Sequence, residues 1–459
     1  SMSGRVADTD GQPIIGATIV AVHTPTGTQY ATASTRNGQF NLGGMRVGGP
    51  YDVEVSFIGC NTEKIEGIYL TIGEEATLDF VLREDSQSIG EVVVVGKANP
   101  VFNANRTGAQ EVVTLEMMEK LPTTSRSLDE FVKLTPMSSG KNFAGTSYRF
   151  NNVTVDGASF NNSFGLSSAL GAQGTEPISL ESIEQVQVMI APYDVRNGGF
   201  TGGGINSVTK SGTNEWHASA YMYTKSPELQ GHRVRDYVGQ VSEFSNRQYG
   251  VSLSGPIVKN KLFFFVNGEL DRQDEPISNR LADSRVSAAD LDDLAKFLGD
   301  QFNYNPGGYD LSKTETRADR LTARIDWNIN DRNTFSLKYY YLKSYNTNAP
   351  STSGAPANGR GPNAYAMPFS SSYYRTNNDF NIVMADWNST INDHMSNTLK
   401  VGYSRLRDYR DMDGGFFPQV DILKDGSSYT VFGTEANSYN NQLDTDIFQI
   451  APVQIHVNN

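Results

Sequence analysis

The feature that most constrains this chain is a strict alternation between residues 321 and 341. Leu321, Ala323, Ile325, Trp327 and Ile329 alternate with Thr322, Arg324, Asp326 and Asn328. After a polar turn, Asn330-Asp331-Arg332-Asn333, the residues Phe335, Leu337, Tyr339 and Tyr341 alternate with Ser336 and Lys338. Leu399, Val401 and Tyr403 repeat the pattern against Thr398, Lys400, Gly402 and Ser404. A period of two places apolar residues on one face of a strand and charges on the other. Two architectures accept such strands. In a soluble sandwich the apolar faces meet and Arg324, Asp326, Lys338 and Lys400 point to water. In a membrane barrel the apolar face meets lipid, and those charges face a wet lumen or a plug. The strands run about ten residues, enough for a tilted membrane crossing. Short turns at 330–333 and 392–396 contrast with long polar links at 272–318 and 344–378. That asymmetry favours the barrel.

Composition is compatible with it. No apolar run is long enough for a membrane-spanning helix, but transmembrane strands leave only a weak hydropathy signal. The formal net charge of −13 argues against a nucleic-acid surface. One cysteine, Cys60, cannot close an internal disulfide. The 43 glycines, 22 tyrosines and 23 phenylalanines suit a β-rich, aromatic protein. At 459 residues, about two to four domains are expected. The start, Ser1-Met2-Ser3, has no basic or apolar leader pattern, so any signal peptide is read as absent or already removed.

Residues 1–85 read as a small β-sandwich. Turn signals recur at Asp10-Gly11, Thr26-Gly27, Asn37-Gly38, Gly43-Gly44 and Gly48-Gly49-Pro50. Between them Tyr51, Val53, Val55 and Phe57 share one face, and Leu78, Phe80 and Leu82 another. His23 has no His or Cys companion and reads as a surface residue in a turn.

Residues 86–100 read as a linker around one strand, Glu91-Val92-Val93-Val94-Val95-Gly96. A lone strand leaves polar backbone unpaired along both edges, so it needs a partner in this chain or another.

Residues 101–212 mix periods. A helix is expected from Thr114 to Leu121, ended by Pro122. Another runs from Ser127 to Leu134, opened by a Ser127–Glu130 capping box and stopped by Pro136, with Leu128, Phe131 and Leu134 on one face. Strands are expected at 152–156, closing in an Asp156-Gly157 turn, and at 183–190. The stretch 197–212 reads as a glycine-rich loop whose spacing fits no phosphate-binding fingerprint.

These segments also carry resemblances. Gly4-Arg5-Val6, Asp8, Asp10-Gly11, Pro13 and Gly16-Ala17-Thr18-Ile19-Val20, then Thr35, Gly38, Phe40 and Leu42, resemble the carboxypeptidase-regulatory-like domain. That transthyretin-like sandwich is not itself an enzyme, and in Bacteroidetes it commonly precedes outer-membrane receptors. Residues 181–188, Ala191-Pro192-Tyr193-Asp194-Val195-Arg196 and the run 198–214 resemble the end of the plug domain in TonB-dependent receptors, closest to the Oar-like branch. Val153-Thr154-Val155-Asp156-Gly157 resembles another plug strand. The positions so marked are Asp156, Gly157, Tyr193, Arg196, Gly198, Gly199, Gly202, Gly203 and Asn206.

The resemblance implies a mostly β protein: an N-terminal β-sandwich, a small α+β plug at 101–212 and, at 213–459, the first part of a large transmembrane antiparallel barrel. Plugged transporters of this kind have about 22 strands. Only about eight candidate strands follow Gly212, so much of a barrel is expected to lie outside the sequence given. Residues 91–96 fall where SusC-like and Oar-like receptors carry the segment that binds periplasmic TonB, assigning that role to Glu91, Val92, Val93, Val94, Val95 and Gly96. In a resting importer this handle should be loosely held. The resemblance further implies residence in the outer membrane of a Gram-negative bacterium with the N-terminal domain in the periplasm, contact with outer-membrane lipid, an unknown extracellular ligand, room for a surface lipoprotein partner, and no cofactor. The alternative is a binding receptor or adhesin without active import.

An enzyme is the competing class. His23, His217, His232, His394 and His456 lack metal-ligand spacing, no Gly-x-Ser-x-Gly elbow is present, and Cys60 has no assigned His. Asp290-Leu291-Asp292-Asp293-Leu294 reads as a helix start in a long loop, with calcium binding as a minor alternative. Tyr304, Tyr309, Tyr345, Tyr365 and Phe369 are candidate ligand-contacting aromatics of the loops.

Overall fold

The computed structural model describes residues 1–84, 92–95, 109–120, 126–135, 137–139, 142–161, 175–191, 201–231, 233–239, 242–277, 279–350, 359–392, 395–415, 417–424, 428–433 and 443–457. The chain is mostly β.

The first strands are β1 (Met2–Asp8), β2 (Thr18–His23), β3 (Thr28–Ala33), β4 (Gln39–Leu42), β5 (Gly48–Ser56), β6 (Glu63–Leu70), β7 (Ala76–Thr77) and β8 (Phe80–Leu82). They form two sheets. In one, β1 pairs with β4, β7 and β8; the other runs β3-β2-β5-β6 and is completed at its β6 edge by the later strand Val92–Val95. Alternation fixes the core: Tyr51, Val53 and Val55 of β5 meet Ile19 and Ala21 of β2, with Phe80 and Leu82 from β8. Phe57 lies past the end of β5 and is exposed. Gly48-Gly49-Pro50, expected as a turn, is instead the start of β5, where register shifts against β6 absorb the irregular backbone.

His23 is also corrected. It ends β2 and is buried, its Nδ1 2.7 Å from Thr26 Oγ1 and its ring against Tyr51. Burial, with the Arg46 cation second, pushes its pKa down from 6.5 to about 3. The unfolded chain therefore binds a proton between these values that the folded chain refuses. The sandwich is expected to lose stability progressively as pH falls from 6.5 toward 3, and to be unaffected by this group above 6.5. Hydrogen exchange of β2 and β5 measured across that range checks this; His23→Gln should flatten the slope.

Next comes β9 (Val92–Val95), then β10 (Ala109–Thr114), α1 (Leu115–Lys120), α2 (Leu128–Val132), the short pair β11 (Ser138–Ser139) and β12 (Asn142–Phe143), and β13 (Asn152–Val155), β14 (Ala158–Ser159), β15 (Ile183–Ala191) and β16 (Gly204–Thr209). These build a central five-stranded sheet, β10-β15-β16-β13-β14, with α1 and α2 on its apolar face. Both helices form where the pattern placed them. α2 is shorter than expected, so Leu134 falls beyond it and is exposed, while Leu128 and Phe131 are buried. The stretch read wholly as a glycine-rich loop contains β16. Backbone approach explains its glycines: a Cβ on Gly203 would lie 2.3 Å from the Phe143 ring, and one on Gly202 2.4 Å from Asn151 Oδ1.

The remainder is β17 (His217–Lys225), the short hairpin β18 (Arg233–Val234) and β19 (Tyr237–Val238), β20 (Ser245–Val258), β21 (Leu262–Pro276), α3 (Ala288–Phe302), β22 (Lys313–Asn330), β23 (Asn333–Asn348), β24 (Tyr374–Asn392), β25 (Met395–Asp411), a second hairpin of β26 (Val420–Lys424) and β27 (Ser428–Phe432), and β28 (Leu443–Val457). Eight strands make one antiparallel wall, β17-β20-β21-β22-β23-β24-β25-β28. Most exceed the expected ten residues, because pairing continues past the apolar band into the long connections.

The wall's two faces settle its solvent. Val251, Leu253, Val266, Ile325, Trp327, Leu337, Val383 and Trp387 point outward and are exposed. Arg320, Thr322, Arg324, Asp326 and Lys338 point inward and are buried. Apolar outside and charged inside reverses a soluble sandwich and fits a wall facing lipid. At the short-turn end, Leu262, Trp327, Phe335, Trp387 and Leu399 sit directly opposite one another across five strands, an apolar row whose three central rings suit a bilayer interface.

At the other end the three long connections fold together. Leu291 and Leu298 of α3 pack with Met367, Phe369 and Phe432, and Tyr304 stacks on Phe417 with centroids 3.9 Å apart. Tyr304, Tyr309 and Phe369 thus serve this loop core, and Tyr345 lies in β23. Among the described residues no three metal-ligating groups converge. Asp290 pairs with Lys424, and Asp292 accepts from the Tyr309 hydroxyl at 2.7 Å.

Candidate functional site

The central segment lies against the wall's inward face, and the two share one apolar core. Val153, Val155, Val186 and Phe160 from the segment join Tyr340, Leu342, Phe380, Ile382 and Met384 from the wall. The Phe160 ring meets Tyr340 and Phe380 edge-on, each at 5.4 Å.

Beside this core runs a buried ion network. Its hub is Asp156. Asp156 and Gly157 form the two-residue turn between β13 and β14, both with positive φ (52° and 89°), as such a tight hairpin demands. The turn aims the carboxylate at the wall. Tyr340 Oη and Thr209 Oγ1 each donate to it at 2.5 Å, Lys338 Nζ lies at 3.6 Å and Arg324 Nη1 at 4.0 Å. Burial alone would raise its pKa, but Lys338 and Arg324 outweigh that and hold it below the usual carboxylate value. Arg324 in turn forks onto Asp326 at 2.8 and 3.0 Å and donates to the Thr209 carbonyl at 2.8 Å. Lys338 also pairs with Asp386.

A second junction sits on β21. Glu269 accepts from Ser179 Oγ and Tyr221 Oη, both at 2.7 Å, and pairs with Arg320, whose Nε donates to the Glu176 carbonyl at 2.6 Å. Arg126 of the central segment lies over the Tyr223 ring at 3.7 Å and pairs with Glu181.

Other marked positions are dispersed. Asn206 accepts from Thr154 Oγ1 at 3.1 Å within the central sheet. Glu91, Gly96, Tyr193, Arg196, Gly198 and Gly199 lie outside the described residues. Val92–Val95 forms β9, which pairs in parallel with β6, Val92 opposite Glu63 and Val95 opposite Glu66, as the edge of the second sandwich sheet. Sequence reasoning noticed Arg324, Asp326 and Lys338 as mid-strand charges but gave them no partners. Arg46, Tyr340 and Asp386 carried no local signal, and Thr209 stood out only within the run 198–214.

A model described as an outer membrane beta barrel domain matches residues 208–296 and 275–452, more than half of the chain. The chain belongs to this family. A carboxypeptidase regulatory-like domain matches residues 1–83. The TonB-dependent transporter Oar of Myxococcus xanthus is 26% identical over 276 residues, covering 55% of this chain and 25% of that protein. A probable TonB-dependent siderophore receptor, PirA of Acinetobacter baumannii, is 25% identical over 249 residues, covering 49% and 28%. The crystal structure of the outer membrane transporter YddB from Escherichia coli aligns with a TM-score of 0.49 at 15% identity, over 71% of this chain and 43% of that one. The chain thus spans about a quarter of the length of the curated relatives it matches. This member of the outer membrane β-barrel family is homologous to TonB-dependent receptors and resides in the outer membrane of a Gram-negative bacterium.

Proposed function

We propose that this chain is part of a TonB-dependent importer. Residues 101–212 act as the plug, and residues 91–96 are the handle that TonB captures by strand addition. The observation that carries this reading is the filled inward face of the wall. A folded segment sharing an apolar core and buried ion pairs with the wall blocks passage, so a ligand crosses only if that segment rearranges. Rearrangement separates buried charges and needs work from outside. The handle precedes the plug in the chain, where a pull is transmitted directly. Strand addition suits a pull because hydrogen bonds across paired strands share the load. No covalent chemistry is required, and a non-enzymatic role follows.

The test removes residues 91–96 from the protein in cells. A siderophore, the ligand class named for PirA, is the first probe. Uptake is expected to fall to the level of cells lacking TonB, with surface binding retained. Undiminished uptake would instead make this chain a receptor that works without the handle.

A further inference from the structure

We propose that the loop between β4 and β5, residues 43–47, is a latch that holds the sandwich across the short-turn mouth of the wall, and that Arg46 leaves Asp326 when the mouth opens. Arg46 is rooted in the sandwich, where Tyr51 Oη donates to its carbonyl at 2.9 Å. Its guanidinium stays close enough to the sandwich to act on His23 and reaches beyond it. It lies 3.5 Å from Asp326, donates to Ser211 Oγ at 3.3 Å and sits over the Phe263 ring at 5.9 Å. One side chain thereby joins sandwich, plug end and wall.

The order of charges makes this contact releasable. Arg46, Asp326, Arg324, Asp156, Lys338 and Asp386 form a chain of alternating sign, with Arg46 at one end. Withdrawing an end member leaves every other pair made. Asp326 keeps the short fork from Arg324 and a 2.6 Å bond from Ser336 Oγ, whereas its contact with Arg46 is long. Removing an inner member would strand a buried charge.

The rest of the seam is built the same way. Among the described residues, the sandwich core and the core shared by plug and wall have no member in common. What crosses is polar: Asn328 Nδ2 to Thr28 Oγ1 at 2.7 Å, Asn214 N to the Pro25 carbonyl at 2.8 Å, and Gln185 with Ile72 N at 3.0 Å. A small crevice, with room for little more than a water molecule, lies between Gln29, Tyr30, Gly43 and Gly44 and the rim residues Arg332 and Asn388. Polar contacts trade readily for water, so the sandwich can detach while plug and wall stay packed.

Hydrogen exchange on the purified full chain tests this and needs neither TonB nor ligand, so its failure is separable from failure of the import reading. Arg46→Ala should raise exchange in 25–28 and 43–47 roughly tenfold, the loss of a hydrogen-bonded charge, and leave β13 and β15 unchanged. Arg46→Lys, which keeps the cation, should stay within about threefold of the native protein. If Arg46→Ala does not fold, Arg46→Gln, which keeps length and a donor for Ser211, carries the same expectation. Unchanged exchange in both loops, or equal loosening of β13 and β15, would overturn the latch.

Discussion

Replacing Arg324 with methionine is expected to cost the folded chain ~3–5 kcal/mol, because it breaks the ion network at an inner link. Asp326 is fully buried and, among the described residues, Arg324 supplies its one short ionic fork. Without it, the carboxylate keeps Ser336 and the distant Arg46, too little to repay desolvation. Asp156 loses the Arg324 cation and keeps Lys338, and the Thr209 carbonyl loses a donor. Denaturant unfolding in detergent, followed by exchange of β13 and β15, measures the loss. The pair Arg324→Met with Asp326→Leu should recover part of it, since no bare carboxylate remains at 326, while Arg46 gives up its contact with Asp326 and Asp156 keeps Lys338. A loss below about 1 kcal/mol for the single change would mean that water reaches Asp326 and that the inner face is not sealed.

The wall was legible because its period of two runs unbroken from Leu321 to Tyr341, and lipid outside with a filled inside is the arrangement that buries the charges while exposing the apolar row. The Asp156-Gly157 turn was legible for a local reason as well: two adjacent positive φ angles demand that dipeptide. What Asp156 touches was not legible. Lys338, Arg324 and Tyr340 lie more than 160 positions away, and no local pattern encodes a contact of that span. His23 was misread for the same reason, since its burial depends on Thr26 and Tyr51 closing over it. Arg46 gave no signal at all, because a single arginine in a glycine-rich loop is usually a solvated one. Strand lengths were underestimated because the apolar pattern ends at the bilayer boundary while backbone pairing continues beyond it.

The proposed handle carries the second large effect. β9 is only four residues, paired on one side to β6, so it is held by few bonds and has an edge facing outward from its sheet. A partner strand can add to that edge or displace β6. Successive residues of a strand send their N–H groups to opposite edges. The double change Val93→Pro with Val94→Pro therefore deletes a donor from each edge, and its rings obstruct pairing on both. The direct measurement is calorimetric titration of the purified full chain with the periplasmic domain of TonB, compared with the double-proline variant. The account predicts saturable binding that weakens about a hundredfold or more in the variant, the equivalent of roughly 3 kcal/mol. Equal affinity for both proteins would contradict it.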